Sequence, residues 1–213
     1  MKMFPISHIS LLLMLFAYLL GSVPIGWIVG KLFYSKDIRK GGSGNIGATN
    51  ALRMFGTTTG IIVLLLDMGK GLLAVLLADF CLISGSPFIS LCALLVILGH
   101  VFPLYLGFKG GKGVATAGGA FLALVPLSVV VAICIFIIVV SLTRYVSLGS
   151  ILGALGFMGH AVWMMLRAGT ADFARLILIT AVVLMIVVKH RANLQRLLQG
   201  NENKIAFSRQ GKK

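Results

Sequence analysis

A bundle of membrane-crossing helices is the architecture that this sequence predicts, on three grounds. Apolar residues fill 59% of the 213 positions and mean hydropathy is +1.05, more than a water-facing domain of this length tolerates. Charged residues are only 11% of the chain. Those charges are lopsided, with 19 Lys and Arg against 5 Asp and Glu for a net charge of +14, and the basic ones sit in short segments between apolar runs. That placement marks the cytoplasmic loops of an all-α, polytopic membrane protein. It also suits anionic lipid or an anionic substrate, and it argues against a nucleic-acid partner. Cys81, Cys92 and Cys134 lie in apolar runs without CxxC spacing, so they read as free thiols.

The first span covers residues 9–33. It is too long for a signal-peptide core and lacks a well-placed small-residue cleavage site, so it is expected to stay as a helix. Pro24 within Gly21-Ser22-Val23-Pro24-Ile25-Gly26 should kink it. The small residues there suit close helix packing, although Ser22 also has the chemistry to face a polar cavity. Residues 34–50 form a polar loop, strongly basic with Lys31, Lys36, Arg39, Lys40 and Arg53 around it, and are assigned to the cytoplasm. The N-terminus is then outside. The second span, 57–83, contains Asp67 and Lys70 at i,i+3 spacing, either a self-satisfied pair or a functional one. Ser84-Gly85-Ser86-Pro87 makes an uncharged outer turn, and a third span covers 88–105.

A glycine-lysine loop follows, Phe108-Lys109-Gly110-Gly111-Lys112-Gly113-Val114-Ala115-Thr116. It lacks the spacing of a Walker loop, yet it has the backbone donors, lysines and following helix N-terminus of a phosphate site. Residues 114–142 are read by parity. One long helix would leave seven basic C-terminal residues outside, against the positive-inside pattern. Two passes breaking at Pro126 keep them in the cytoplasm. The first pass, about 114–124, is too short to cross alone and is expected to begin in a cavity. Spans at 151–166 and 173–188 complete seven transmembrane helices, with the C-terminus cytoplasmic and Arg167, Asp172 and Arg175 in the last outer loop. Residues 189–202 are expected to carry the last helix out along the membrane surface, with His190, Asn193, Leu194 and Leu197 on one face. One membrane-embedded domain is expected over 1–204, followed by a basic cytoplasmic tail at 205–213.

Four polar clusters therefore converge on one membrane side: 43–53, 109–116, 147–150 and 190–193. The first is Gly41-Gly42-Ser43-Gly44-Asn45-Ile46-Gly47-Ala48-Thr49-Asn50, whose glycines can turn consecutive N–H groups toward an anion. The clusters offer donors and positive charge with hardly a carboxylate. Only Asp37 and Glu202 among the acids fall in these loops, which argues against a metal-dependent mechanism and for the absence of a cofactor. A CDP-alcohol transferase, which relies on clustered aspartates, is disfavoured. The His-x4-Asp of soluble glycerolipid acyltransferases is missing, since His8, His100, His160 and His190 are followed at that spacing by Leu13, Tyr105, Met165 and Gln195. No GxSxG elbow is present. Metal-free handling of phosphates at the cytoplasmic leaflet remains.

Three motifs in order, spread over residues 21–204, resemble those of the bacterial integral-membrane glycerol-3-phosphate acyltransferases that use acyl phosphate, the PlsY family. They are 21–26 with Asp37-Ile38-Arg39 and 42–50; His100 with 108–116; and His190-Arg191-Ala192-Asn193-Leu194 with Arg196-Leu197-Leu198 and Gly200. Leu194 stands where the family often has isoleucine. The resemblance implies a seven-helix enzyme of the bacterial cytoplasmic (inner) membrane, with its site facing the cytoplasm. It implies transfer of a fatty acyl group from acyl phosphate to the sn-1 hydroxyl of glycerol 3-phosphate as the first step of phospholipid synthesis, without an acyl-enzyme. Functional coupling to the enzyme that makes acyl phosphate goes with it. The expected catalytic residues are Lys112, His190 and Ser150, with Ser147 as a further donor. Ser43, Gly44, Asn45, Gly47, Thr49, Asn50, Arg53, Gly110, Gly111 and Asn193 are expected to bind substrate phosphates. The base is either His190 or the substrate's own phosphate. The second is preferred because neighbouring cations depress a histidine's pKa. A transporter or flippase for an organic phosphate or phospholipid is the alternative, but it predicts an internal repeat that the sequence lacks.

Overall fold

The computed structural model describes residues 7–83, 85–169 and 172–205. Among these, every regular element is helical. Ser84 of the expected outer turn, and Arg209, Lys212 and Lys213 of the expected basic tail, lie outside the described residues.

Proline and its small neighbours divide the first span as expected. Helix α1 (His8–Ser22) starts on a reciprocal Ser7–Ser10 cap, and α2 (Ile25–Tyr34) leaves Pro24 at 43° to it. Ser22 is buried and donates to the Tyr18 carbonyl at 2.9 Å, so packing is its role. The polar loop ends in an unexpected short helix, α3 (Ala48–Phe55), set off by Gly56 from α4 (Thr57–Cys81). Ser86 caps and Pro87 opens α5 (Pro87–Val101). The break at Pro126 separates α6 (Val114–Leu124) from α7 (Pro126–Thr143). Then come α8 (Val146–Arg167) and α9 (Phe173–Lys189). The last helix does not run straight on past the end of its span. It breaks at His190, and α10 (Arg191–Leu198) turns away by 53°.

Helices α4, α7 and α8, and α5 taken on to Leu106, are long and apolar enough to cross a membrane, and the bent pairs α1–α2 and α9–α10 raise the number to six. The seventh expected pass is α6. Its 11 residues span about 16 Å against a hydrocarbon core of about 30 Å. It is too short to cross alone, and its first turns face a cavity, as its length requires.

The main packings are α7 on α8, α1 on α5 and α4 on α6. Lipid removes the hydrophobic drive between helices, so close backbone approach does the holding. A Cβ on Gly21 would collide with the Val96 carbonyl, one on Gly99 with the Tyr18 carbonyl, and one on Gly119 with the Met68 carbonyl. The core runs through α1 and α4 to α9, and a smaller cluster of Ile38, Ile46, Ala51 and Val63 lies under the glycine-rich loop.

Gly99→Leu should force α1 off α5 and lower the unfolding midpoint in detergent by the equivalent of about 1–3 kcal/mol. Gly159→Ala, where an added Cβ meets nothing, should leave the midpoint unchanged or raised. Equal midpoints for G99L and the native chain would show that this contact does not hold the bundle.

Candidate active site

One side chain fastens the glycine-rich loop. Asn50, 1% exposed, sends Nδ2 to the carbonyls of Ile38 (2.9 Å), Asn45 (2.7 Å) and Gly41 (3.2 Å), while its Oδ1 accepts the Ser43 N–H at 2.8 Å. Gly42 has φ +59° and leaves no room for a Cβ beside Asn50 Oδ1. The expected row of free N–H donors is therefore largely turned inward. Ser43 N–H goes to Asn50, Gly44 N–H to the Gly41 carbonyl, and Gly47 N–H to Asn45 Oδ1. What this loop offers an anion is the start of α3, where the first N–H groups have no intrahelical acceptor. Its first two residues, Ala48 and Thr49, line a cavity together with Ser43, Asn45, Gly47, Asn50 and Arg53. Gly44 is not part of that wall.

The second loop delivers Lys112. Gly110 and Gly111 do not line the cavity as expected of phosphate-binding glycines. Gly111 N–H is spent on the His100 carbonyl at 3.0 Å, and both glycines press on His100 too closely for a Cβ. They let the loop lie flat while Lys112 reaches forward to Asn193 Oδ1 at 2.5 Å. Desolvation in the half-buried site, with Arg196 and Arg53 nearby and Glu202 opposing, lowers the Lys112 pKa to about 8.

His190 and Asn193 come from the break between α9 and α10. His190 Nδ1 lies 2.8 Å from the Ile186 carbonyl. A carbonyl only accepts, so Nδ1 carries the proton and Nε2 keeps its lone pair. Burial, reinforced by the Lys112 charge, pushes the His190 pKa down to about 4. The imidazole is neutral at pH 7 and is an acceptor rather than a cation.

Glu202 is the residue that sequence reasoning left without a role. It is 8% exposed. Its Oε1 accepts from Asn193 Nδ2 at 2.6 Å and from Ser147 Oγ at 2.9 Å, and its Oε2 from Arg196 Nε at 2.8 Å. Burial opposes its ionisation, but these donors prevail and hold its pKa below the ordinary carboxylate value. The same segment accepts from Arg53 through the Asn203 carbonyl (3.3 Å) and returns Ile205 N–H to the Arg144 carbonyl (2.9 Å). The only sequence signal for Glu202 was its rarity as a carboxylate among the polar loops. The serines differ from expectation too. A hydroxyl has one proton; Ser147 gives its own to Glu202 and Ser150 to the Val146 carbonyl at 2.8 Å. Both line the cavity with lone pairs to offer instead of donors.

The cavity holds about 480 Å³. Its polar end gathers Arg53, Lys112, His190, Asn193 and Glu202. Its depth is apolar, lined by Phe121, Val129, Phe136, Phe157 and Val182 among others. Leu64, Ile133 and Ile137 belong to the wall and are exposed apolar side chains of α4 and α7. Among the described residues, no three His, Cys, Asp or Glu side chains are grouped to hold a metal ion.

Many known proteins are similar to this chain in sequence. A family profile described as glycerol-3-phosphate acyltransferase matches residues 11–200. A glycerol-3-phosphate acyltransferase of Listeria monocytogenes serovar 1/2a is 42% identical over 198 residues, 92% of this chain and 97% of that one. One from Trichlorobacter lovleyi is 46% identical over 88% of this chain and 93% of its own. A crystal structure of PlsY (YgiH), an integral membrane glycerol 3-phosphate acyltransferase, in its glycerol 3-phosphate form superposes with a TM-score of 0.85 at 36% identity, covering 92% of this chain and 96% of that chain. The lysophosphatidic acid form of the same enzyme gives 0.81.

Asn50→Asp replaces the Nδ2 donor by an acceptor among three carbonyls, at a cost of about 1–3 kcal/mol per buried group left unmatched. In this variant, limited trypsin digestion should cut after Arg39 or Lys40 at doses that leave those bonds intact in the native chain. Equal protection by mass spectrometry would show that Asn50 is not the fastener.

Proposed function

This chain belongs to the glycerol-3-phosphate acyltransferase family, and we propose that it moves the acyl group of an acyl phosphate to the sn-1 hydroxyl of glycerol 3-phosphate. Lysophosphatidic acid and inorganic phosphate are the products. The observation that carries this reading is a single cavity with cations at one end and apolar side chains in its depth. Such a space suits two phosphates at the rim and one acyl chain below.

The donor is already activated, since phosphate is its leaving group. The glycerol oxygen forms a bond to the acyl carbonyl carbon, the bond from that carbon to the phosphate oxygen breaks, and the hydroxyl proton passes to phosphate. Lys112, Arg53 and the start of α3 balance the anionic charge, with Ser43, Asn45 and Thr49 beside them. Fixed positive groups in a water-poor site stabilise developing negative charge strongly. His190 accepts the hydroxyl hydrogen at Nε2 and aims the oxygen. With its pKa near 4 it is a weak base at pH 7, which favours the substrate's own phosphate as the final proton acceptor. Asn193 orients Lys112 and the substrate together. Ser150 accepts, and Gly44, Gly110 and Gly111 shape the loops. No metal is required by this chemistry.

The same reading includes the topology. Seven passes, an outer N-terminus and a cytoplasmic C-terminus put the site on the cytoplasmic face of the bacterial inner membrane. The basic loops at that end support it. Residues 1–204 act as one domain, which begins phospholipid synthesis and receives its donor from the enzyme that makes acyl phosphate.

Purified protein given palmitoyl phosphate and glycerol 3-phosphate should release phosphate, and Lys112→Ala should cut the rate by at least about a hundredfold. No release from the native chain would sink the reaction, and a fully active K112A would refute the lysine's role. The pH profile gives a second test. Lys112 is cationic below its pKa of about 8 and neutral above it. The alkaline limb of kcat/KM, which reports the free enzyme, should therefore have its midpoint near 8 and fall roughly tenfold per unit above it. A plateau running past about pH 9.5 would contradict a lowered Lys112 pKa.

A further inference from the structure

Three ionisable side chains buried between the helices take no part in the reaction above. Asp67 and Lys70 lie one turn apart on α4, with 2.8 Å between Oδ1 and Nζ. His100, from the last turn of α5, brings Nδ1 to 3.4 Å from the same oxygen. None is more than 5% exposed. Ionisable groups inside a span are costly, and apolar residues would pack α4 against α5 without that cost.

Their outward contacts point in two directions. Lys70 Nζ also donates to the Val23 carbonyl at 2.9 Å, at the Pro24 break where α1 gives way to α2. Helix α2 lies directly on the glycine-rich loop, because Gly26 backs onto the Ile46 carbonyl so closely that no Cβ fits. On the other side, the His100 carbonyl holds the Gly111 N–H, and the His100 ring fills the space where a Gly111 side chain would stand. Lys112 is the next residue. Asp67 and His100 also form part of the cavity wall. One arm of the cluster thus reaches each loop of the site.

We propose that Asp67, Lys70 and His100 are positioning residues that fix the separation between the glycine-rich loop and Lys112. Apolar packing is non-directional. A carboxylate oxygen buried 2.8 Å from an ammonium and 3.4 Å from an imidazole is specific to its partners through charge, without hydrogen-bond geometry to either. It ties α4 at once to the α1–α2 break and to the end of α5, so both loops refer to one point.

The test measures that separation. Cys81 and Cys134 are replaced by serine, buried Cys92 is kept, and spin labels are placed at Lys40 and Lys109, both exposed. Electron-electron resonance distances are compared with and without Asp67→Asn/Lys70→Gln, a pair that leaves no buried charge unmatched. The substituted protein should fold and give a distance distribution broader than its parent's or displaced from it. Its kcat/KM for acyl transfer should fall about tenfold to a hundredfold, the scale of small misplacements. The kinetic arm rests on the function proposed above and the distances do not, so a native chain without acyltransferase activity leaves this test standing. A folded variant with its parent's distances overturns the proposal, whatever its unfolding midpoint. Should the pair variant fail to fold, His100→Gln cuts the second arm alone and keeps the Asp67–Lys70 pair. It should shift the Lys40–Lys109 distances in the same way, and unchanged distances would again refute the role.

Discussion

Positive charge held in a half-buried place without a carboxylate of its own is the condition on which the rest of this structure depends. Lys112 is the clearest case. Its nearest partner is the oxygen of a neutral amide, Asn193, and the carboxylate Glu202 stands on the far side of that amide. A direct Lys112–Glu202 pair would neutralise the lysine and compete with any incoming phosphate. With the amide between them, the lysine is oriented and its charge is still available. The cost appears in its lowered pKa, the expected result of desolvation beside Arg53 and Arg196.

The same condition explains the uneven use of the site's donors. The side chains and N–H groups that would weakly attract an anion are mostly spent on building the walls. Asn50, Ser147, Ser150 and Gly111 all close internal bonds. The cations and the start of α3 are what face the cavity. A few strong groups on rigid supports serve a charged substrate better than many loosely held ones.

Much of this was legible in the sequence. Pro24 and Pro126 announce the two breaks because proline cannot continue a hydrogen-bonded helix. The shortness of α6 followed from counting residues and charges. Lys112, Arg53, His190 and Asn193 stand together because basic loops and a polar helix end alternate with apolar runs, which forces them to one side. The rest was hidden for physical reasons. Glu202 meets Ser147 across 55 residues, and no local pattern records such a return. Asp67 and Lys70 were visible as a pair, but His100 joins them through helix packing alone. The inward turn of the glycine-rich loop depends on Asn50, whose four bonds exist only once the chain has closed on itself. Gly110 and Gly111 read as anion binders because glycine serves close packing and open loops with the same letter.

The wall shared by Leu64, Ile133 and Ile137 has a consequence for traffic. In a membrane-embedded bundle, a cavity walled partly by exposed apolar side chains and charged at its other end offers two exits of opposite polarity. For the proposed reaction, the product with an acyl tail partitions sideways into the leaflet, and inorganic phosphate departs into the aqueous phase. Each product leaves by the route the other cannot use, so solubility itself separates them, and neither has to clear the path of the other.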